Sequence, residues 1–222
     1  MNHNEKIEIG NDPGLSLGTK IIKLYSGSQI TRALISEIPL IGTYIDNVLT
    51  DKAQSFAQRR IELYISELSD QVEELKIQSI SQDDEVIFDL FQSVLDKVSK
   101  TKSSDKIKRF ASLSTSCLHG ECSWDETEAA INLVNELSDI QVKILKIAHQ
   151  SDGYILVEKL PLVLSSLTKS SSMLFCADLV SKGLLKDQGV SHLDAGAIEM
   201  LSSTELNDWF LKRVHSMSLS ET

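Results

Sequence analysis

Between Leu49 and Leu75 the apolar residues Leu49, Ala53, Phe56, Ala57, Ile61, Tyr64, Leu68, Val72 and Leu75 follow one another at steps of 4, 3, 1, 4, 3, 4, 4 and 3. That spacing places them along one side of a 3.6-residue helix and predicts about seven turns with a single apolar face. Gln54, Gln58, Arg59, Glu62, Glu73 and Lys76 fill the other directions. A helix this long with one apolar stripe needs other elements to cover it, which points to a helical bundle. The chain has only three prolines and ten glycines, so long helices elsewhere are allowed.

Further stripes follow. Ile87, Leu90, Phe91, Val94, Leu95 and Val98 form one after a turn at Ser79–Asp83, with Ser81 or Asp83 as cap. Ile107, Phe110, Ala111, Ser114, Cys117 and Leu118 form another, ending at Gly120. Ser123-Trp124-Asp125-Glu126 and Ser138-Asp139-Ile140-Gln141 carry the capping-box spacing, in which the Ser hydroxyl and the Glu or Gln side chain satisfy each other's backbone amides. The first starts a helix with Thr127, Ala130, Ile131, Val134 and Leu137 inward. The second starts one with Ile140, Ile144, Ile147 and Ala148 on one side.

Before these elements, residues 1–18 are polar and rich in turn formers and read as a flexible arm. Residues 19–36 read as a first helix. Ile38–Leu49 is the most apolar N-terminal segment. It fits either a core-facing helix start or an element that inserts into a membrane surface or a partner groove.

After Gln150 the rhythm changes. Tyr154–Val157 is β-prone, short helices are expected near Glu158–Leu164 and Thr168–Lys182, and Gly183 closes the second. Leu184–Lys186 and Ala197–Met200 read as short strands around a polar loop containing Asp187, His192 and Asp194. Ser202-Ser203-Thr204-Glu205 caps a last helix with Leu206, Trp209, Phe210 and Val214 inward.

This order, helix, strand, two helices, two strands with a loop, helix, is the layout of a winged helix. Glu136–Leu145 resembles the opening helix of bacterial winged-helix proteins, Leu179–Leu185 the end of their recognition helix, and Met200–Phe210 their strand-to-helix junction after the wing. The expected fold is mainly α: a helical bundle over 19–134 and a winged-helix module over 135–218. The resemblance implies DNA contact through the second paired helix, with Lys169, Ser170, Ser171, Ser172 and Lys182 as candidate contacts. The segment from Lys106–Leu113 through a Glu-rich helix to Leu137–Gln141 is similar in arrangement to bacterial abortive-infection alpha proteins. That likeness implies a role in anti-phage defence and carries over no catalytic residue.

Charge argues against a nucleic-acid partner. The net formal charge is -10, with 21 acids and 14 bases in residues 1–134 and 11 acids and 8 bases in 135–222. Phosphate readout favours Arg and Lys, yet no arginine occurs between Arg109 and Arg213. The middle of the expected recognition helix is Met173-Leu174-Phe175-Cys176-Ala177-Asp178. A module that packs against protein is the preferred expectation, through another protein or self-association, with a DNA-binding regulator as the alternative and a membrane-acting effector as a third.

The only basic cluster is Lys97, Lys100, Lys102, Lys106, Lys108 and Arg109, which suits an acidic partner as well as it suits helix C-termini. Arg59-Arg60 reads as a solvated or salt-bridged face. Cys117, His119 and Cys122 have zinc-ligand spacing but no second half to the motif, so no metal is expected. Three cysteines fit a reducing compartment, and the N-terminus lacks a basic start with an apolar run, so a cytoplasmic protein is expected. The longest uncharged stretch is 11 residues, Phe110–Gly120, short of a membrane span. No glycine-rich phosphate loop, serine elbow or His-Glu metal motif is present, so neither a cofactor nor catalysis is expected.

Overall fold

A computed structural model describes residues 51–74, 84–151, 153–189 and 198–214. The expected arm, the first helix, Ile38–Leu49, Leu75, the Ser79–Asp83 turn and the loop around His192 lie outside the described residues, as does the side chain of Ala53. The described part is mainly helical with one small antiparallel sheet.

The helices are α1 Asp51–Glu74, α2 Asp84–Lys100, α3 Ser104–Leu118, α4 Trp124–Glu136, α5 Asp139–Gln150, α6 Leu160–Val163, α7 Lys169–Ser181 and α8 Glu205–Val214. The strands are β1 Ile155–Leu156, β2 Leu185–Asp187 and β3 Met200–Ser203. A single 3₁₀ turn, Val157–Lys159, leads from β1 into α6.

The α1 stripe is buried at Ala57, Ile61, Tyr64, Leu68 and Val72, with Ile65 added. Phe56 is 62% exposed, contrary to the expected stripe. It lies one residue, about 100° of rotation, before Ala57, and so falls off the packed side. The α2 stripe is buried throughout: Ile87, Leu90, Phe91, Val94, Leu95 and Val98. Each such side chain removed from water contributes about 1.5–3 kcal/mol before entropy is charged against it.

α3 is the centre of the molecule. It packs against α1, α2, α4 and α8, and every side chain from Arg109 to Leu118 is buried. Its sequence is rich in hydroxyls, which the helix itself satisfies. Ser112 Oγ donates to Lys108 O, Ser114 Oγ to Phe110 O and Thr115 Oγ1 to Ala111 O. A buried hydroxyl bonded to the carbonyl four residues back presents an apolar exterior. Tyr64 Oη on α1 meets Ser114 Oγ at 2.7 Å, and Arg60 Nη1 donates to Ser99 O at the end of α2, 2.6 Å away.

Both expected capping boxes form, at Ser123–Glu126 and Ser138–Gln141. All five residues expected inward on α4 are buried. On α5 the buried side is rotated from expectation: Gln141, Val142 and Leu145 join Ile144 and Ala148, while Ile140 and Ile147 are only partly covered. Gln141 is drawn in because its Nε2 donates to Asp178 Oδ2 on α7 at 2.6 Å.

The sheet order is β1-β3-β2, all antiparallel, with Ile155 opposite Leu201 and Leu185 opposite Ser203. The last strand is Met200–Ser203, with Leu201 buried and paired with Ile155 on β1 and Asp187 on β2; Ala197, where the expected strand starts, lies outside the described residues. Thr204 accepts from Asn207 N as the α8 cap and donates to the carbonyl oxygens of Gly183 and Leu184, locking α8 to the α7–β2 turn. One hydrophobic cluster runs from Ile61 to Val214, so the segments on either side of residue 134 share a continuous core.

Candidate functional site

Three places combine exposure, charge or nucleophiles in a way that permits recognition or chemistry. The first is the outward side of α7. Thr168 and Ser171 cap its start, with Ser171 N donating to Thr168 Oγ1 at 3.2 Å and Thr168 N to Ser171 Oγ at 2.8 Å. Ser172 is fully buried and donates to Thr168 O. Lys182 turns back to Glu136 on α4 and Asp178, at 3.2 and 3.1 Å. Its hydrogen bonds to Asp178 and then Glu136 hold its ammonium above the ordinary lysine range.

Of the five residues expected to meet DNA, Lys169 and Ser170 stand exposed, while Ser171 and Ser172 serve the cap and Lys182 is paired. The exposed residues of α7 are Lys169, Ser170, Leu174, Ala177 and Ser181; the last four share one side at helical spacing and carry no charge, while Lys169 stands at the helix start about 100° away. Leu174 is 68% exposed, and Leu162 and Val163 on the preceding α6 are 84% and 64% exposed. The sequence reading missed these three. The available signal was the apolar run Met173–Ala177, whose consecutive side chains cannot all lie on one buried side, and the run Leu160–Leu164 before it.

The second place is a cleft of about 710 Å³ where the end of α2, the start of α3 and the α4–α5 junction meet. Lys97, Lys100, Lys102 and Lys106 line it with Asp96 and Asp139. Lys100 pairs with Asp96 at 2.7 Å, and Lys106 Nζ donates to Asn135 O at 2.9 Å. Burial, with Arg109 nearby, lowers the Lys106 pKa against the opposing pull of Asp139. Two members of the expected patch are elsewhere. Lys108 pairs with Glu67 at 3.1 Å. Arg109 is buried, with Nη1 2.8 Å from Asp139 Oδ1, because its helix position faces the core and only a carboxylate there permits the charge.

The third place is the α3–α4 turn. Gly120, at φ +79°, reverses the chain after α3, with Gly120 N donating to Cys117 O and Glu121 N to Ser116 O. Cys117 is buried on the last turn of α3, and the buried Cys122 sulfur lies 3.1 Å from Thr127 Oγ1 on α4. His119 stays exposed beside Glu121 at 3.3 Å, so the zinc-like spacing does not converge. Among the described residues no three His, Cys, Asp or Glu side chains gather to hold a metal ion. Interaction with Cys117 lowers the Cys122 thiol, burial opposes it, and Thr127 and Arg213 assist. The Cys117 thiol is raised, first by its interaction with Cys122 and then by burial.

No described helix is long and apolar enough to cross a membrane. No protein-family model matches the sequence, and no curated protein or solved structure matches it either.

Proposed function

We propose that this chain is a non-enzymatic adaptor or regulator whose residues 135–218 form a winged-helix module that binds protein through α6 and α7. The element order α5, β1, α6, α7, β2, β3, α8 with a β1-β3-β2 sheet supports the winged-helix reading. In such a module α7 is the helix that would enter a DNA groove. The observation that carries the proposal is the uncharged outward face of α7, with Leu174, Leu162 and Val163 in solvent. Phosphate binding needs cations there, whereas exposed aliphatic side chains on adjacent short helices suit an apolar protein surface. The likeness in arrangement to abortive-infection alpha proteins supports placing the role in anti-phage defence.

A photo-crosslinking amino acid at position 174 tests this reading. It should capture a discrete protein partner, and the same group at the exposed Glu128 on α4 should not. Random duplex DNA at low salt should migrate unshifted. Retarded duplex that Lys169→Ala releases would overturn the proposal in favour of a DNA-binding regulator.

A further inference from the structure

We propose that the cleft between the end of α2, the start of α3 and the α4–α5 junction binds a small polyphosphate anion, a di- or triphosphate chain, through Lys97, Lys102 and Lys106. The cleft holds about 710 Å³, within the usual size range of ligand sites. Every residue that lines it is polar or charged, and no aromatic or aliphatic side chain is among them. A ligand seated there meets ammonium groups, hydroxyls and carbonyls and finds no surface on which to stack a base. The cleft shares no residue with α6 or α7, so this site is independent of docking through those helices.

The fold sets these lysines around one cavity. Only residues 101–103 join α2 to α3, and Thr101 anchors that link: it is buried, its N–H donates to Val98 O at 3.0 Å and its hydroxyl to Lys97 O at 2.8 Å. Lys97 and Lys100 in the last turn of α2 are thereby kept beside Lys102 and beside Lys106 in the first turn of α3. Two carboxylates line the cleft, and both are engaged. Asp96 takes Lys100 at 2.7 Å. Asp139 takes the buried Arg109 at 2.8 Å and the Ser103 hydroxyl at 2.6 Å. Lys97 donates to Ser93 Oγ at 3.2 Å and Lys106 to Asn135 O at 2.9 Å, both uncharged acceptors. Lys102 is exposed and makes no hydrogen bond or ion pair among the described residues.

Lys97, Lys102 and Lys106 therefore line one cavity without a paired carboxylate among the described residues, in a chain whose formal net charge is -10. Like charges held together repel, and a bound anion relieves that repulsion. Lysine is a compact point charge with rotatable donors and a common phosphate ligand. A di- or triphosphate spreads several negative charges along a short chain and so meets these ammonium groups together. A monophosphate or a single carboxylate meets fewer of them.

The test titrates the folded full-length chain with sodium tripolyphosphate by calorimetry, at low and at physiological salt, alongside ATP, AMP and citrate. Tripolyphosphate should bind at a single site, with an affinity that falls as salt screens the lysines. ATP should bind within about threefold of tripolyphosphate, because its base finds nothing to stack on, and AMP and citrate at least about tenfold more weakly. Lys97→Ala and Lys102→Ala should each weaken tripolyphosphate about five- to tenfold, the loss of one charge-assisted contact. Lys186→Ala, on exposed β2 outside the cleft, should leave binding unchanged. Lys102 has no contact to lose, so its variant should unfold at the wild-type midpoint without ligand. A wild-type chain that gives no binding heat would overturn the proposal. Equal losses from Lys102→Ala and Lys186→Ala would do the same, as would citrate binding as tightly as tripolyphosphate or ATP binding more than about tenfold tighter.

Discussion

Arg109 Nη1 lies 2.8 Å from Asp139 Oδ1, joining the buried face of α3 to the first turn of α5. The same carboxylate accepts from Ser103 Oγ at 2.6 Å, and Ser103 is itself the α3 cap. One acidic side chain therefore serves a buried cation, a capping hydroxyl and the positive start of its own helix. Burial alone would raise its pKa, but Ser103, Arg109 and Lys106 outweigh burial and hold it below the usual carboxylate range.

Asp139→Asn should destabilise the fold by about 1–2 kcal/mol at neutral pH. The figure is less than that for a fully buried pair because the Asp139 side chain is 36% exposed and partly screened. The folded pKa is depressed, so the unfolded chain binds the proton more tightly. The stabilisation is present above the unfolded value of about 3.9 and is lost as pH falls through the folded one. Urea unfolding of both forms should show a gap at pH 7 that closes towards pH 3. A gap independent of pH would reject the assignment.

Tyr64 is fully buried, and burial raises its phenol far above the ordinary 10.0, partly opposed by its hydrogen bond to Ser114. A raised folded pKa means stability present below pH 10 and lost as pH rises beyond it. The chain has four tyrosines. In a spectrophotometric titration one should ionise only together with unfolding, and Tyr64→Phe should remove that late step. The variant should cost about 1 kcal/mol at pH 7 from the lost hydrogen bond.

Gly183 has φ +73° at the end of α7, and an added Cβ would meet nothing closer than Leu206 Cδ2 at 3.7 Å. Gly183→Ala therefore tests backbone strain alone. It should cost about 1 kcal/mol, measured as a lower thermal midpoint with an unchanged circular dichroism spectrum. A neutral result would mean that the turn relaxes to another conformation.

Leu174→Glu should leave stability within about 0.5 kcal/mol, because the side chain is mostly in solvent already. It should nevertheless weaken partner capture by tenfold or more if the α7 face is the docking surface. Chemical denaturation and crosslinking yield on the same preparation separate these effects. A large stability loss would place Leu174 in the fold instead.

Local signals were legible in the chain and the rest was not, for a reason visible residue by residue. The α2 stripe, the boxes at Ser123 and Ser138, the Gly183 stop and the Thr204 cap each depend on neighbours within a few positions, and all appear where the periodicity placed them. On α3 the sequence placed Ser114 on the inward stripe but not Ser112 or Thr115, which are also buried, their donors absorbed by helix carbonyls four residues back.

The sequence by itself determined where the described helices begin and end and which side most of them bury, since 3.6-residue periodicity and capping act over single turns. Only the tertiary structure decided which charges are spent and which remain free. Arg109 is consumed by a carboxylate 30 positions away, and Lys182 by Glu136 on another helix. It also decided that Arg213, near the far end of the chain, pairs with Glu126 at the start of α4, 87 positions away. Such pairings are set by through-space distance once helices pack, and no spacing along the chain encodes that distance.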